Sequence, residues 1–131
     1  MTDADMPWLT KLCIKRYSNR YDPTTTQQWY INVVLKNPLL FVAERTDNAF
    51  AISHLYTMPW TAKELEVDIM FLCADQGAVW EAVTLCRSSI KWAREHNAKK
   101  WRVSSETAFE LGPIADRLGA RLHSQRYIKE L

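Results

Sequence analysis

The sequence predicts an α/β protein, a mixed sheet covered by helices, and three observations carry that expectation. Two apolar-rich runs, Leu40–Arg45 and Ala49–Thr57, flank the turn residues Thr46, Asp47 and Asn48, which is the pattern of a β-hairpin. A long amphipathic stretch from Val79 to about Glu95 places Val79, Val83, Cys86, Ile90 and Ala93 on one helical stripe. That helix lies between two strand-like runs, Leu65–Cys73 and Lys100–Ser105. A helical crossover makes its two strands parallel or nearly so, whereas a hairpin makes its strands antiparallel.

The remaining elements follow in chain order. Asp3 or Asp5 caps a first helix with Pro7 in its first turn, and Trp8, Leu9, Leu12 and Cys13 recur at helical spacing until the pattern fades near Tyr17–Arg20. Asp22-Pro23 starts a second helix, with Asp22 as N-cap and Pro23 at the first position. Trp29, Tyr30, Val33, Val34 and Leu35 form its apolar face, and Asn37-Pro38 stops it. Met58–Thr61 is a loop. Along Leu65–Cys73, strict alternation puts Val67, Ile69 and Phe71 on one side and Glu66, Asp68, Met70 and Leu72 on the other. Asp75-Gln76-Gly77 breaks that strand, and His96-Asn97 ends the long helix, with Asn suited to a left-handed cap. Gly112-Pro113 opens a short helix that closes at Gly119, and Ala120–Ile128 is a last strand.

Length and charge narrow the classes of function. A chain of 131 residues fits one domain, 1–131. A hydrophobic fraction of 47% and a charged fraction of 24% are those of a globular protein rather than a disordered one. A net charge of +2 is too balanced to indicate nucleic-acid binding. Arg117, Arg121, Arg126 and Lys129 gather near the C-terminus, as a solvated face or a phosphate-binding patch. Cys13, Cys73 and Cys86 are odd in number, form no Cys-x-x-Cys pair and sit in apolar runs, which suits buried thiols in a reducing compartment. No run approaches the roughly 20 apolar residues of a membrane span, and the acidic start is no signal peptide. The expected location is therefore the cytoplasm. His54, His96 and His123 lack metal-ligand spacing, so no metal site is expected.

Four segments, taken in order, resemble the GNAT N-acetyltransferase family across almost the whole chain. Thr2–Pro7 is similar to that family's entry into its first helix, and Phe41–Thr57 to its central hairpin. Ile90–Trp101 resembles the end of its long helix leading into the next strand, and Ile114–Ala120 its terminal small helix with Leu-Gly. The resemblance implies a mixed, mostly antiparallel central sheet flanked by helices. The family's first β-strand is missing here, which leaves a sheet edge for a protein partner or a second copy. The short chain is also similar to compact bacteriophage members, some of them virion components.

The resemblance further implies an acetyl-CoA site. The acyl-CoA amide would pair with the strand backbone at Phe71, Leu72 and Cys73, near Ser104 and Ser105. The pyrophosphate would rest on backbone N–H groups of Gln76, Gly77, Ala78 and Val79 at the N-terminus of the long helix. Here the loop reads Cys73-Ala74-Asp75-Gln76-Gly77-Ala78, with one glycine, no arginine and about three residues fewer than the family pattern. Asp75 and Glu81 add negative charge where a pyrophosphate would lie. Glu66 matches the family's catalytic base, with Asp68 two residues along the same face; otherwise Glu66 is a solvated edge acid. Ala115 occupies the place of the usual Tyr acid, and Ser104, Ser105 or Tyr127 could substitute. The eroded loop and missing Tyr favour a structural or interaction role without catalysis. The alternative is an active acetyltransferase acting on a small amine, and a third reading is a relative that modifies nucleic acid.

Overall fold

The computed structural model describes residues 1–17, 22–57, 60, 63–103, 112–120 and 129. Four strands, β1 (Phe41–Arg45), β2 (Ala49–Thr57), β3 (Leu65–Ala74) and β4 (Lys100–Val103), form one sheet in sequence order. β1–β2 and β2–β3 are antiparallel, and β3–β4 is parallel, as a helical crossover requires. Helices α1 (Met6–Tyr17) and α2 (Pro23–Trp29) precede the sheet; α3 (Val79–Glu95) joins β3 to β4; α4 (Gly112–Leu118) follows. The strand expected over Ala120–Ile128 lies outside the described residues, apart from Ala120.

Local chemistry sets most boundaries. Asp22 caps α2 by accepting from the Thr24 and Thr25 N–H groups at 3.0 and 3.3 Å, with Pro23 at the first position. Asn97 at φ 58° and Gly119 at φ 66° end α3 and α4 in the left-handed region that Asn and Gly tolerate best. The start of α1 corrects the sequence expectation. Thr2 takes the cap position of a 3₁₀ turn over Asp3–Asp5, and the Asp5 carboxylate reaches back to accept from the Thr2 N–H at 2.9 Å. α2 passes into a π turn over Tyr30–Val34, closed by Leu35 N–H donating to Tyr30 C=O at 3.0 Å.

The core has a cluster on each sheet face. Met6, Leu9, Leu12 and Cys13 of α1 pack with Tyr30 and Val34 on Phe50, Ile52 and Cys73. On the other face Ala82, Val83, Leu85 and Cys86 of α3 meet Ala49, Ala51, Ile69, Leu72 and Ala74, with Ile114 of α4. A fully buried aliphatic side chain such as Leu9 or Ile69 contributes about 2 kcal/mol. Val83, Cys86 and Ala93 of the expected α3 stripe are buried, whereas Val79 is exposed and Ser89 joins the buried side. Ser89 is tolerated inside because its hydroxyl lies 2.7 Å from Ser53 Oγ and accepts from Trp101 Nε1 at 2.9 Å.

Strict alternation along β3 does not hold. Ile52 faces Phe71 and Ser53 faces Ile69, so Met70 has no opposite residue and forms a β-bulge. The extra residue reverses the alternation. Leu72 therefore joins Val67 and Ile69 toward α3, and Phe71 joins Glu66 and Asp68 on the α1 side, the reverse of the sequence expectation for Phe71 and Leu72.

The outer edge of β1 is not bare, as a missing preceding strand would suggest. Met1 N donates to Ala43 C=O at 3.1 Å, and Asn37 C=O accepts from the Leu40 and Phe41 N–H groups. Arg45 adds charge at the same edge through its ion pair with Asp5 at 2.9 Å.

Candidate functional site

Beyond Ile52 and Phe71 the sheet face turned toward α1 and α2 changes from apolar to polar. His54 pairs in register with Asp68, Tyr56 with Glu66, and Asp68 with Arg102. The two-residue period of strands puts His54, Tyr56, Glu66, Asp68 and Arg102 on one face of three adjacent strands. Glu66 and Asp68 share that face, as the sequence suggests.

Glu66 is the centre of this group. It is 0% exposed, so the solvated edge acid is ruled out. Its Oε2 meets Arg102 Nη2 at 3.2 Å and accepts from the Tyr56 hydroxyl at 3.4 Å. Its Oε1 is buried with no hydrogen-bond partner among the described residues. Burying a carboxylate costs several kcal/mol unless it is paired, and Arg102 supplies the pairing. The second oxygen remains an unused acceptor inside the protein. Trp60, in the loop before β3, is 75% exposed.

Aromatic rings extend the site across the hairpin. The rings of Phe41 and His54 stack at 4.4 Å, and those of His54 and Tyr56 at 5.5 Å. Burial holds the His54 imidazole below its ordinary range, toward the neutral form. Burial first, then the negative charge of Asp68, raises the Tyr56 phenol, so Tyr56 keeps its proton at neutral pH and stays a donor to Glu66.

The acyl-CoA residues implied by the resemblance lie at the other end of β3. Described pairing between β3 and β4 runs from Glu66 with Lys100 to Ile69 with Val103, and Met70 bulges just beyond it, 48% exposed. Phe71, Leu72 and Cys73 continue β3 past that point. Ser104, Ser105 and Tyr127 lie outside the described residues, so the separation of the two strands is described on the β3 side only.

After Ala74 the chain makes a tight turn into α3. Asp75 Oδ1 accepts from Gln76 N–H at 2.8 Å, Asp75 C=O accepts from Ala78 N–H at 3.0 Å, and Gly77 sits at φ 82°. Two of the N–H groups expected to cradle a pyrophosphate are thus bonded within the turn. Ala78 gives α3 no side-chain cap. The two acids blamed for repelling phosphate are both engaged. Asp75 is paired with Lys15 of α1 at 2.8 Å, and that contact, then the Gln76 N–H, holds its carboxyl below the usual range. The Thr46 hydroxyl and Asn48 do the same for Glu81, which accepts from Asn48 Nδ2 at 3.1 Å. Arg117 of α4 lies 4.5 Å over the Trp80 ring, beside the first turn of α3.

Tyr56, Arg102 and Lys15 escape the sequence reading. Tyr56 had a signal, since His54-x-Tyr56 can oppose Glu66-x-Asp68 across an antiparallel pair. Arg102 and Lys15 had none, because their partners lie far along the chain. Ala115 is on α4 as expected. No group of three His, Cys, Asp or Glu side chains suited to a metal occurs among the described residues.

No protein-family profile and no curated protein sequence matches the chain. Solved structures do. An acetyltransferase from Trypanosoma brucei superposes with a TM-score of 0.76 at 12% identity, covering 100% of this chain and 96% of that one. A structure described as a transcriptional regulator from Bacillus halodurans gives 0.76 at 10% identity with the same coverage. The aminoglycoside antibiotic 6'-N-acetyltransferase from Acinetobacter haemolyticus, in its apo form, gives 0.65 at 11% identity, covering 100% of this chain and 93% of that one. The architecture is that of the GNAT acetyltransferases; identities this low speak for the fold alone.

Proposed function

We propose that this protein is a GNAT-fold N-acyltransferase that moves an acetyl group from acetyl-CoA to a primary amine, with Glu66 as the general base. The observation that carries the reading is the Glu66 carboxylate, wholly buried on the sheet face, with Oε1 lacking a hydrogen-bond partner among the described residues. A buried acceptor left open is costly to folding and is suited to taking a proton from a bound amine. In the reaction the amine nitrogen attacks the thioester carbonyl, the C–S bond breaks, and the nitrogen's proton passes to Glu66. The departing thiolate takes a proton from water, since Ala115 supplies none.

Acetyl-CoA fits the turn before α3 in part. The Lys15 ammonium offsets the Asp75 charge, whereas Glu81, held by the neutral donors Thr46 and Asn48, keeps its own. A Cβ built on Gly77 meets nothing within 4 Å, so the turn is open on that side. The remaining donors for a pyrophosphate are the N–H groups of Gly77, Val79 and Trp80. These features offset the argument from composition at Asp75 and leave Glu81 as the remaining repulsive charge.

A second reading, a structural or interaction role without catalysis, as in a phage particle, is favoured by one observation: the Gln76 and Ala78 N–H groups are already bonded within the turn. Calorimetric titration with acetyl-CoA separates the two. The enzyme reading expects micromolar binding that Gly77→Glu weakens at least tenfold, followed by acetylation of amines in a screen. Absence of binding up to millimolar ligand sinks it and leaves the structural role.

A further inference from the structure

We propose that Arg102 and Tyr56 are positioning residues for Glu66: both engage Oε2, and together they set the carboxylate so that Oε1 receives the N–H of the amine. The proposal rests on the reading of Glu66 as the residue that meets the amine, and it adds how the protein chooses which oxygen does so.

A carboxylate offers about four lone-pair sites on two oxygens, and an arginine fork can occupy both oxygens at once. Here the guanidinium meets Oε2 at 3.2 Å, and the Tyr56 hydroxyl meets the same oxygen at 3.4 Å. The two donors approach from opposite neighbours of β3, Tyr56 from β2 and Arg102 from β4. The two donors thus meet the same oxygen from opposite sides, and no donor among the described residues meets the other. Oε1 is as buried as Oε2 yet has none among the described residues. Buried polar atoms in native proteins nearly always have a partner, so an acceptor unpartnered among the described residues, beside an oxygen that two donors already engage, marks the place we assign to the amine N–H. Neither Arg102 nor Tyr56 touches that place, so each acts through Glu66. Tyr56 stays protonated at neutral pH, which keeps its hydroxyl a donor throughout the working range.

The arrangement also ties Glu66 to the parallel β3–β4 pair. Arg102 stands opposite Asp68 and reaches back to Glu66.

The test uses the full chain labelled with ¹³C at glutamate carboxyls, the Glu66 signal being assigned by its loss in Glu66→Gln. The probe is n-butylamine at neutral pH. We expect the Glu66 carboxyl signal to shift on adding the probe to the unaltered protein, and the shift to fall several-fold in Tyr56→Phe and Arg102→Met. Arg102→Lys, which keeps a cation at Oε2, restores part of it. The amide spectrum of each variant checks the fold. If Arg102→Met does not fold, Tyr56→Phe decides alone, since it removes a single hydroxyl. The proposal is overturned if the Glu66 signal ignores the amine, or if it responds equally in Tyr56→Phe. Acetyl transfer to the same amine is assayed in parallel. A responsive Glu66 carboxyl without turnover refutes the acyltransferase reading and leaves the positioning roles standing.

Discussion

Replacing Arg102 with Met removes the counter-ion of the buried Glu66 carboxylate. The carboxylate is 0% exposed and the Arg102 side chain 33% exposed, at an N···O distance of 3.2 Å. Truncating one partner of a buried ion pair costs about 3–5 kcal/mol, mostly the penalty of the stranded charge. The partial exposure of Arg102 lets water reach the site, and the Tyr56 hydroxyl still donates to Oε2, so the lower end, about 3 kcal/mol, is expected. In a domain of this size that is roughly 10 °C in Tm. Urea unfolding at neutral pH, followed by tryptophan fluorescence, measures the loss from the midpoint at constant m. The double variant Glu66→Met/Arg102→Met removes both charges at similar volume and is expected to return within about 1 kcal/mol of the unaltered protein. A loss below about 1 kcal/mol in Arg102→Met is the behaviour of a surface pair. That result would refute the burial of Glu66 on which its proposed role depends.

Three further outcomes follow from the same structure. Ser89→Ala strands the Trp101 indole N–H and the Ser53 hydroxyl, and is expected to cost about 2 kcal/mol in the same urea assay. Lys15→Met lets the Asp75 carboxyl rise toward its ordinary value of 3.8. A carboxyl held low in the folded state stabilises above its unfolded pKa and loses that stabilisation as pH falls through the folded one. The stability gap between Lys15→Met and the unaltered protein should therefore be present at neutral pH and close below about pH 3.8; a gap that persists in acid contradicts the ion pair. Cys86 is buried, and burial pushes its thiol up to about 12, so the native protein should not alkylate there at pH about 8 while the urea-unfolded chain does. Labelling of native Cys86 at the unfolded rate would contradict the packing of α3.

The elements whose ends are set by short-range chemistry were legible before the fold was known. Asp22-Pro23, the Thr46–Asn48 turn, the helix from Val79 to Glu95, Asn97 and Gly119 all carry their instructions within a few residues, because caps and turns are satisfied by near neighbours. The candidate site was legible at Glu66 and Asp68, whose alternation survives in β3. It was misread at Phe71 and Leu72, because the Met70 bulge exists only in the register with Ile52 and Ser53. On α3, Val83, Cys86 and Ala93 are buried as the periodicity predicts, whereas Val79 and Ser89 depart from it. Buried Ser89 looks like a surface residue until Ser53 and Trp101 stand beside it.

What the sequence determined by itself was the order and type of the elements, since periodicity and capping act over one or two turns. What only the tertiary structure decided was charge. Glu66 is paired by Arg102 and Asp75 by Lys15, across sequence separations of 36 and 60 residues. An isolated stretch of sequence cannot say whether an acid is solvated or buried, paired or open. That depends on which side chains the fold brings within a few ångströms, where Coulomb energy and desolvation are both largest.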